Sequence, residues 1–244
     1  MDGAQAAAVG GGASGEAVVL EPHLPPTPRG GVCPEGAAPG APEGGEGGAG
    51  GVQKKLRQEV EAARAAGRRV RVFAYDEHRM GLKPVYRRVW ARKGERPKAV
   101  VAHRYRWFYL CTFVEPETGE SLSLLVDGID TEVMSWVLRE FRGWLGEEEG
   151  EVWVVLDRAG WHVSPRVEVP EGVRLVFLPP YSPELQPVER VWPLVNEAVA
   201  NRYFADLGAL MEAVEGRWLV LQGDRELLRR HTLFHWWPGA KGSA

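Results

Sequence analysis

The chain has 244 residues, 44% of them hydrophobic and ten of them tryptophan, enough for one sizeable core with an appendage. Its two cysteines show no Cys-x-x-Cys spacing, which excludes a disulfide framework and a cysteine zinc site. The net charge of −3 is unevenly placed: residues 1–53 hold one arginine against six acids, so the rest of the chain carries +2 and a polyanionic partner stays open.

No apolar run approaches the ~20 residues that span a bilayer, and the N-terminus lacks the basic-then-apolar pattern of a secretory signal. The expectation is a protein of the reducing cytoplasm, with no membrane partner. Residues 1–52 are expected to be a disordered Gly/Ala/Pro-rich segment. Fifteen of the 30 glycines fall in residues 1–51, without one aromatic side chain, so ordering entropy exceeds what burial could return.

Residues 53–67 read as a linking helix, with Gly67 placed to stop it. Arg69–Tyr75 then alternates as a strand does and is expected to end at Asp76-Glu77. Strands are expected around Lys98–His103 and Trp107–Val114. The turn signal Pro116-Glu117-Thr118-Gly119 leads into a third at Ser121–Val126, and together they suggest an antiparallel meander. Asp130-Thr131-Glu132 has the acids of a helix start, and that helix should run to about Leu145. Val152–Leu156 is a short continuous apolar run ending at Asp157, and Val173–Leu178 is a second, ending at Pro179-Pro180. Both read as buried strands. A short helix after Gln186 and another from Asp206 to about Leu221 complete a domain over residues 68–222, with 223–244 as a C-terminal tail. The order gives a mixed α/β domain with helices on both faces of one sheet.

Two strands thus deliver an aspartate each, Asp76 and Asp157, to the rim of a sheet, where open α/β sheets place their sites. If the two strands are parallel neighbours, the carboxylates meet. The third element is the string from Leu178 to Trp192, which contains Pro179, Pro180, Tyr181, Ser182, Pro183, Gln186, Pro187, Val188 and Glu189. Pro187 suits the first position of a helix. Glu189 then falls in the first turn, where the helix dipole favours an anion. A Ser-His-Asp reading would recruit Ser182 or Ser164 without a nucleophile-elbow sequence, and is set aside.

The stretches Tyr75-Asp76-Glu77, Leu156-Asp157-Arg158-Ala159-Gly160-Trp161-His162 and Leu178–Trp192 resemble the DDE transposases of the mariner-like superfamily, in its bacterial insertion-sequence branch. The resemblance covers roughly residues 68–220. It implies a ribonuclease H-like fold in which Asp76, Asp157 and Glu189 bind two divalent cations, Mg²⁺ or Mn²⁺. It also implies cutting of an element's DNA ends and their transfer to target DNA, by a homodimer on double-stranded DNA. Related enzymes carry an N-terminal helix-turn-helix region. None is read here, so a separate helix-turn-helix polypeptide is an expected partner. The chemistry suits the residues: phosphodiester cleavage needs an activated water or 3′-hydroxyl and a stabilised leaving oxygen, and hard cations prefer all-oxygen sites.

Three departures carry consequences. Arg158 stands where the family usually has asparagine. It is able to bind a DNA phosphate, or to pair with a catalytic carboxylate and weaken metal binding. Gln186 replaces asparagine, the better N-cap. Pro193 lacks the N–H that would bond the carbonyl of Glu189, so the helix should kink or end early. His162 matches a histidine often found after the second-aspartate motif, and is a site-adjacent candidate beside its reading as a loop-orienting residue. Glu77 should point away from Asp76 and is not counted as a ligand. His231 and His235 lack a third ligand for zinc. Arg87, Arg88, Arg92, Lys93, Arg96 and Lys98, with Trp90 among them, suit a DNA phosphate track. Trp136, Trp153 and Trp192 read as core. Two other functions stay in view: an inactive DNA-binding remnant or regulator, and a ribonuclease H-like nuclease on other nucleic acids.

Overall fold

A computed structural model describes residues 49–93, 98, 104–146 and 150–240. Most of the segment expected to be disordered, most of the strand expected around Lys98–His103, and Arg96 lie outside the described residues.

The elements are α1 (Ala49–Ala65), β1 (Val70–Gly81), β2 (Trp107–Glu115), β3 (Glu120–Val126), α2 (Thr131–Leu145), β4 (Glu151–Leu156) and β5 (Val173–Phe177). Two 3₁₀ turns, Pro183–Leu185 and Pro187–Arg190, lead to α3 (Trp192–Asn196), α4 (Leu207–Gly223) and α5 (Arg225–Thr232). The sheet order is β3-β2-β1-β4-β5. β1 and β2, and β2 and β3, pair antiparallel; β4 lies parallel to β1, and β5 to β4. This is the mixed sheet of the ribonuclease H-like fold.

Strand alternation divides the core into two layers. Val72, Ala74, Trp153 and Val155 face α1, α3, α4 and α5, while Phe73, Tyr75, Val152, Val154 and Leu156 face α2. α2 begins as its sequence dictates: the Asp130 carboxylate accepts the backbone N–H groups of Glu132 and Val133. Gly67 closes α1 in the left-handed conformation, at φ 78°. Gly119 holds the β2–β3 turn at φ 73°, with so little room beside the carbonyl of Arg225 that no Cβ would fit.

Three expectations are corrected. β1 does not end at Asp76. Its ladder with β2 continues to Gly81 opposite Trp107, and Asp76 lies two residues beyond Ala74, the last β1 residue paired with β4. β5 is not a buried central strand. It forms the sheet edge and its side chains are half-buried or exposed. The segment after Gly223 is folded: α5 places Leu228 in the core, and Trp236 and Trp237 are buried behind it. Trp153 and Trp192 are core residues and Trp136 packs against the α2 layer, as expected, whereas Trp90 is fully exposed. No helix among the described residues is long and apolar enough to cross a membrane.

Candidate active site

The parallel register of β1 and β4 pairs Ala74 with Val155. Asp76 lies two residues further along β1, and Asp157 is the first residue beyond the end of β4, so the register brings both to the same end of neighbouring parallel strands. Both belong to the alternation that faces α3 and α4. Glu189 lies on that side, in the 3₁₀ turn Pro187–Arg190. That turn is not a regular α-helix: Pro193 starts a new helix in the first turn of α3, which ends the Glu189 segment early as its missing N–H requires.

Burial pushes the Asp76 carboxyl up to about 7, with the charges of Glu77 and Glu189 adding to it. The hydrogen bond that Trp192 Nε1 donates to Asp76 Oδ2 (2.9 Å) works against the rise. Glu189 is raised by burial and by the charge of Asp157. Glu189 is therefore an electrostatic neighbour of both Asp76 and Asp157. Among the described residues no three His, Cys, Asp or Glu side chains converge to ligation geometry.

Asp157 is held differently. Its Oδ1 accepts His162 Nδ1 at 2.7 Å and the Ala159 backbone N–H at 3.0 Å. The histidine bond, joined by that N–H and the imidazolium charge, holds the carboxyl below its ordinary range despite burial. The other ring nitrogen, His162 Nε2, lies 2.7 Å from Glu77 Oε1. Burial alone would lower the His162 pKa, but the two carboxylates lift it to about 9. With an acceptor on each ring nitrogen, the side chain is an imidazolium.

Glu77 does point to the α2 side of the sheet, as strand alternation requires. It nonetheless reaches the site around the end of β4. Its Oε1 also accepts Tyr75 Oη (2.9 Å) and Trp161 Nε1 (3.1 Å), so one buried carboxylate organises three donors behind Asp157. Sequence reasoning missed this residue. The available signal was that Tyr75 and Glu77 share a strand face and that the Trp161-His162 pair lies just after β4.

The imidazolium makes a prediction for stability. Its folded pKa of about 9 exceeds the ordinary histidine value of about 6.5. The ion triad Glu77–His162–Asp157 therefore contributes fully below pH ~6.5, and that contribution is lost as pH rises through 9. Urea midpoints between pH 6 and 10 should decline over this window, and His162→Gln should flatten the decline.

Gln186 caps the 3₁₀ turn without a side-chain cap bond. Its Nε2 instead donates to the Tyr75 carbonyl at 2.8 Å, tying the Glu189 segment to β1 one residue before Asp76. Arg158 is exposed and pairs with none of the three acids among the described residues. Its Nε donates to the Leu178 carbonyl (3.3 Å) and its guanidinium lies 5.6 Å from the Phe177 ring centroid. His231 Nδ1 donates to the Leu227 carbonyl within α5 (2.8 Å), and His235 lies beyond that helix.

In the basic segment, Arg87 is anchored. Its backbone exchanges two hydrogen bonds with the Asn201 side chain, and its guanidinium pairs with Glu197 at 3.1 Å. Arg88, Arg92, Lys93 and Lys98 are exposed and are not brought to the three acids.

The DDE superfamily endonuclease family matches residues 71–211, a span that contains all three acids. The Sinorhizobium fredii protein y4pE/y4sA is 41% identical over 101 residues, which is 41% of this chain and 74% of that protein. The fold is similar to that of the Mos1 transposase paired-end complex with left transposon end, at TM-score 0.56 and 14% identity over 84% of this chain and 63% of that one. It is also similar to the Mos1 strand transfer complex, at TM-score 0.53 and 15% identity over 75% of this chain and 57% of that one. This chain thus spans less than two thirds of either solved transposase chain. The family match covers more than half of the sequence, and the chain belongs to the DDE superfamily endonuclease family.

Proposed function

We propose that the chain is the catalytic portion of an insertion-sequence transposase, cutting DNA at element ends and joining those ends to target DNA. The observation that supports this reading is that adjacent parallel strands carry Asp76 and Asp157 to the same sheet end, with Glu189 interacting electrostatically with each. Asp76, Asp157 and Glu189 are the residues that would hold two divalent cations, Mg²⁺ or Mn²⁺. The set fits such ions in being all oxygen, and among the described residues the cation bonded to it is the His162 imidazolium, on Asp157 Oδ1. When bound, the cations supply an activated water or 3′-hydroxyl and stabilise the leaving oxygen.

The chain's own residues prepare the site. Trp192 fixes one oxygen of Asp76, and His162 with the Ala159 N–H fixes one oxygen of Asp157. Gln186 keeps the Glu189 turn against β1. Arg158, which bonds the Leu178 carbonyl and lies over Phe177 rather than pairing with the three acids, would meet a DNA phosphate. Arg87, Arg88, Arg92, Lys93, Arg96 and Lys98 are the residues that would bind DNA phosphates, with Arg87 anchored on Asn201 and Glu197. The working unit is a homodimer on double-stranded DNA, and end recognition comes from a separate helix-turn-helix polypeptide. The compartment is the cytoplasm.

The test is incubation of the full chain with duplexes bearing the element's ends. Nicked and transferred strands in Mg²⁺ or Mn²⁺, and none in EDTA, are the expected products. Uncut duplex beside a cleaved RNA–DNA hybrid would instead favour a hybrid nuclease.

A second expected result concerns pH. Asp76 remains protonated up to about pH 7, so Mn²⁺ must compete with a proton below it. Mn²⁺ affinity should rise by up to about tenfold per unit between pH 5.5 and 7 and level off above that. A flat profile over that interval would remove Asp76 from the ligand set.

A further inference from the structure

Beyond Gly81 the chain forms a cavity of about 470 Å³, between the end of β1, the start of β2 and the stretch from α3 to α4. That volume is in the range of small-molecule sites. Its charge is one-sided. Arg79, Lys83, Arg104, Arg106 and Arg202 line it, and among the described residues no aspartate or glutamate does.

The cations are partly preorganised. The Arg79 guanidinium lies 5.5 Å from the Trp107 ring centroid, and that of Arg202 lies 5.3 Å from that of Phe204. Arg104 Nη1 is fixed on the Ala205 carbonyl at 2.7 Å. Beneath them the walls are apolar, from Met80, Leu82, Val199 and Leu210. Trp107 is 45% exposed although it begins a core strand. Gly81 permits the approach of the two strands, since a Cβ there would stand 2.6 Å from the Arg106 carbonyl.

A cationic rim around an aromatic, apolar hollow matches an anion that carries a planar ring. A duplex backbone asks only for a positive surface, because its bases are already stacked. An unpaired nucleotide offers both a phosphate and a free base face, and aromatic stacking with a basic groove is how single strands are held. The cavity also adjoins the candidate active site. His78 lines its wall and stacks on Trp192 at 4.9 Å, and Trp192 bonds Asp76. At the strand rise, His78 and Gly81 stand about 7 and about 17 Å from Asp76, or roughly two to five nucleotide steps.

We infer that this cavity binds an unpaired nucleotide of the DNA strand that passes the catalytic carboxylates, a reading that rests on the DNA chemistry proposed above. Its ligand is a single-stranded overhang or a frayed terminus, with the base against Trp107 and Phe204 and the phosphate on Arg106 and Arg202.

The test is fluorescence anisotropy of the full chain, at one salt concentration, with a blunt duplex and with the same duplex bearing a three-nucleotide overhang. The overhang should tighten binding about fivefold to a hundredfold, the range of one aromatic–base stack. Trp107→Leu should abolish that preference while blunt-duplex affinity holds. Should that variant fail to fold, Arg106→Ala with Arg202→Ala serves in its place, and should remove most of the preference. Equal affinity of the unmutated chain for both duplexes overturns the cavity's role and leaves the DNA reading standing, as does a preference that survives the substitutions. Absence of binding to either duplex overturns both.

Discussion

Replacing Asp76 or Asp157 by asparagine should lower metal-dependent cleavage of element-end DNA by about a thousand-fold, the scale of several kcal/mol of lost transition-state stabilisation. Asparagine keeps the shape and one oxygen but removes the charge that holds a divalent cation. The two variants should differ in stability. At Asp76 the charge is an expense to the fold, because burial and two neighbouring acids already push its carboxyl up to about 7. Asp76→Asn should therefore melt no lower than the unmutated chain near pH 8. Asp157 receives the buried imidazolium of His162, so Asp157→Asn should lose stability as well as cleavage. Single-turnover cleavage and thermal melts on the same preparations separate the two effects. Asp76→Asn protein that cuts within tenfold of the unmutated rate would remove this residue from the catalytic set.

Glu77→Ala should cost about 3–5 kcal/mol of unfolding free energy, the range for removing one partner of a buried ion pair. The Glu77 side chain is 7% exposed and that of His162 1%. Without the carboxylate, His162 Nε2, Trp161 Nε1 and Tyr75 Oη all lose their acceptor. Against the ordinary 5–15 kcal/mol total, this is a large share. Glu77→Gln keeps an oxygen for the three donors and should cost less, yet it should weaken the loss of stability through pH 9. A loss below about 1 kcal/mol in Glu77→Ala would mean that His162 finds another partner and that the triad is dispensable. Urea unfolding at pH 7 gives the answer.

The frame of this site can be read from local sequence because local rules decide it. The apolar run Val152–Leu156 has to be a buried strand, and its last residue delivers Asp157. Asp130 caps α2 because an aspartate before a helix accepts its first N–H groups. The prolines of the Leu178–Trp192 string force short turns, which is where Glu189 sits.

What stayed hidden depends on distant partners. β1 runs on to Gly81 because β2 supplies a ladder, and alternation within β1 alone does not show that. Gln186 looks like a weak cap, since its use is a tertiary hydrogen bond to Tyr75. Glu77 looks irrelevant because strand parity turns it away from Asp76. Only the loop after β4 brings His162 between Glu77 and Asp157. α5 has eight residues, too few for periodicity to announce the buried pair Trp236-Trp237 that follows it.

The central claim is that three carboxylates form one cation site. Titration calorimetry with Mn²⁺ at pH 7.5 tests it most directly, on the full chain and on Asp157→Ala, each alone and with element-end duplex present. The account predicts binding by the unmutated chain, strengthened by DNA, and its disappearance in the variant. Folded, unmutated protein that takes up no Mn²⁺ even on DNA, or an Asp157→Ala chain that binds it equally well, would contradict the account.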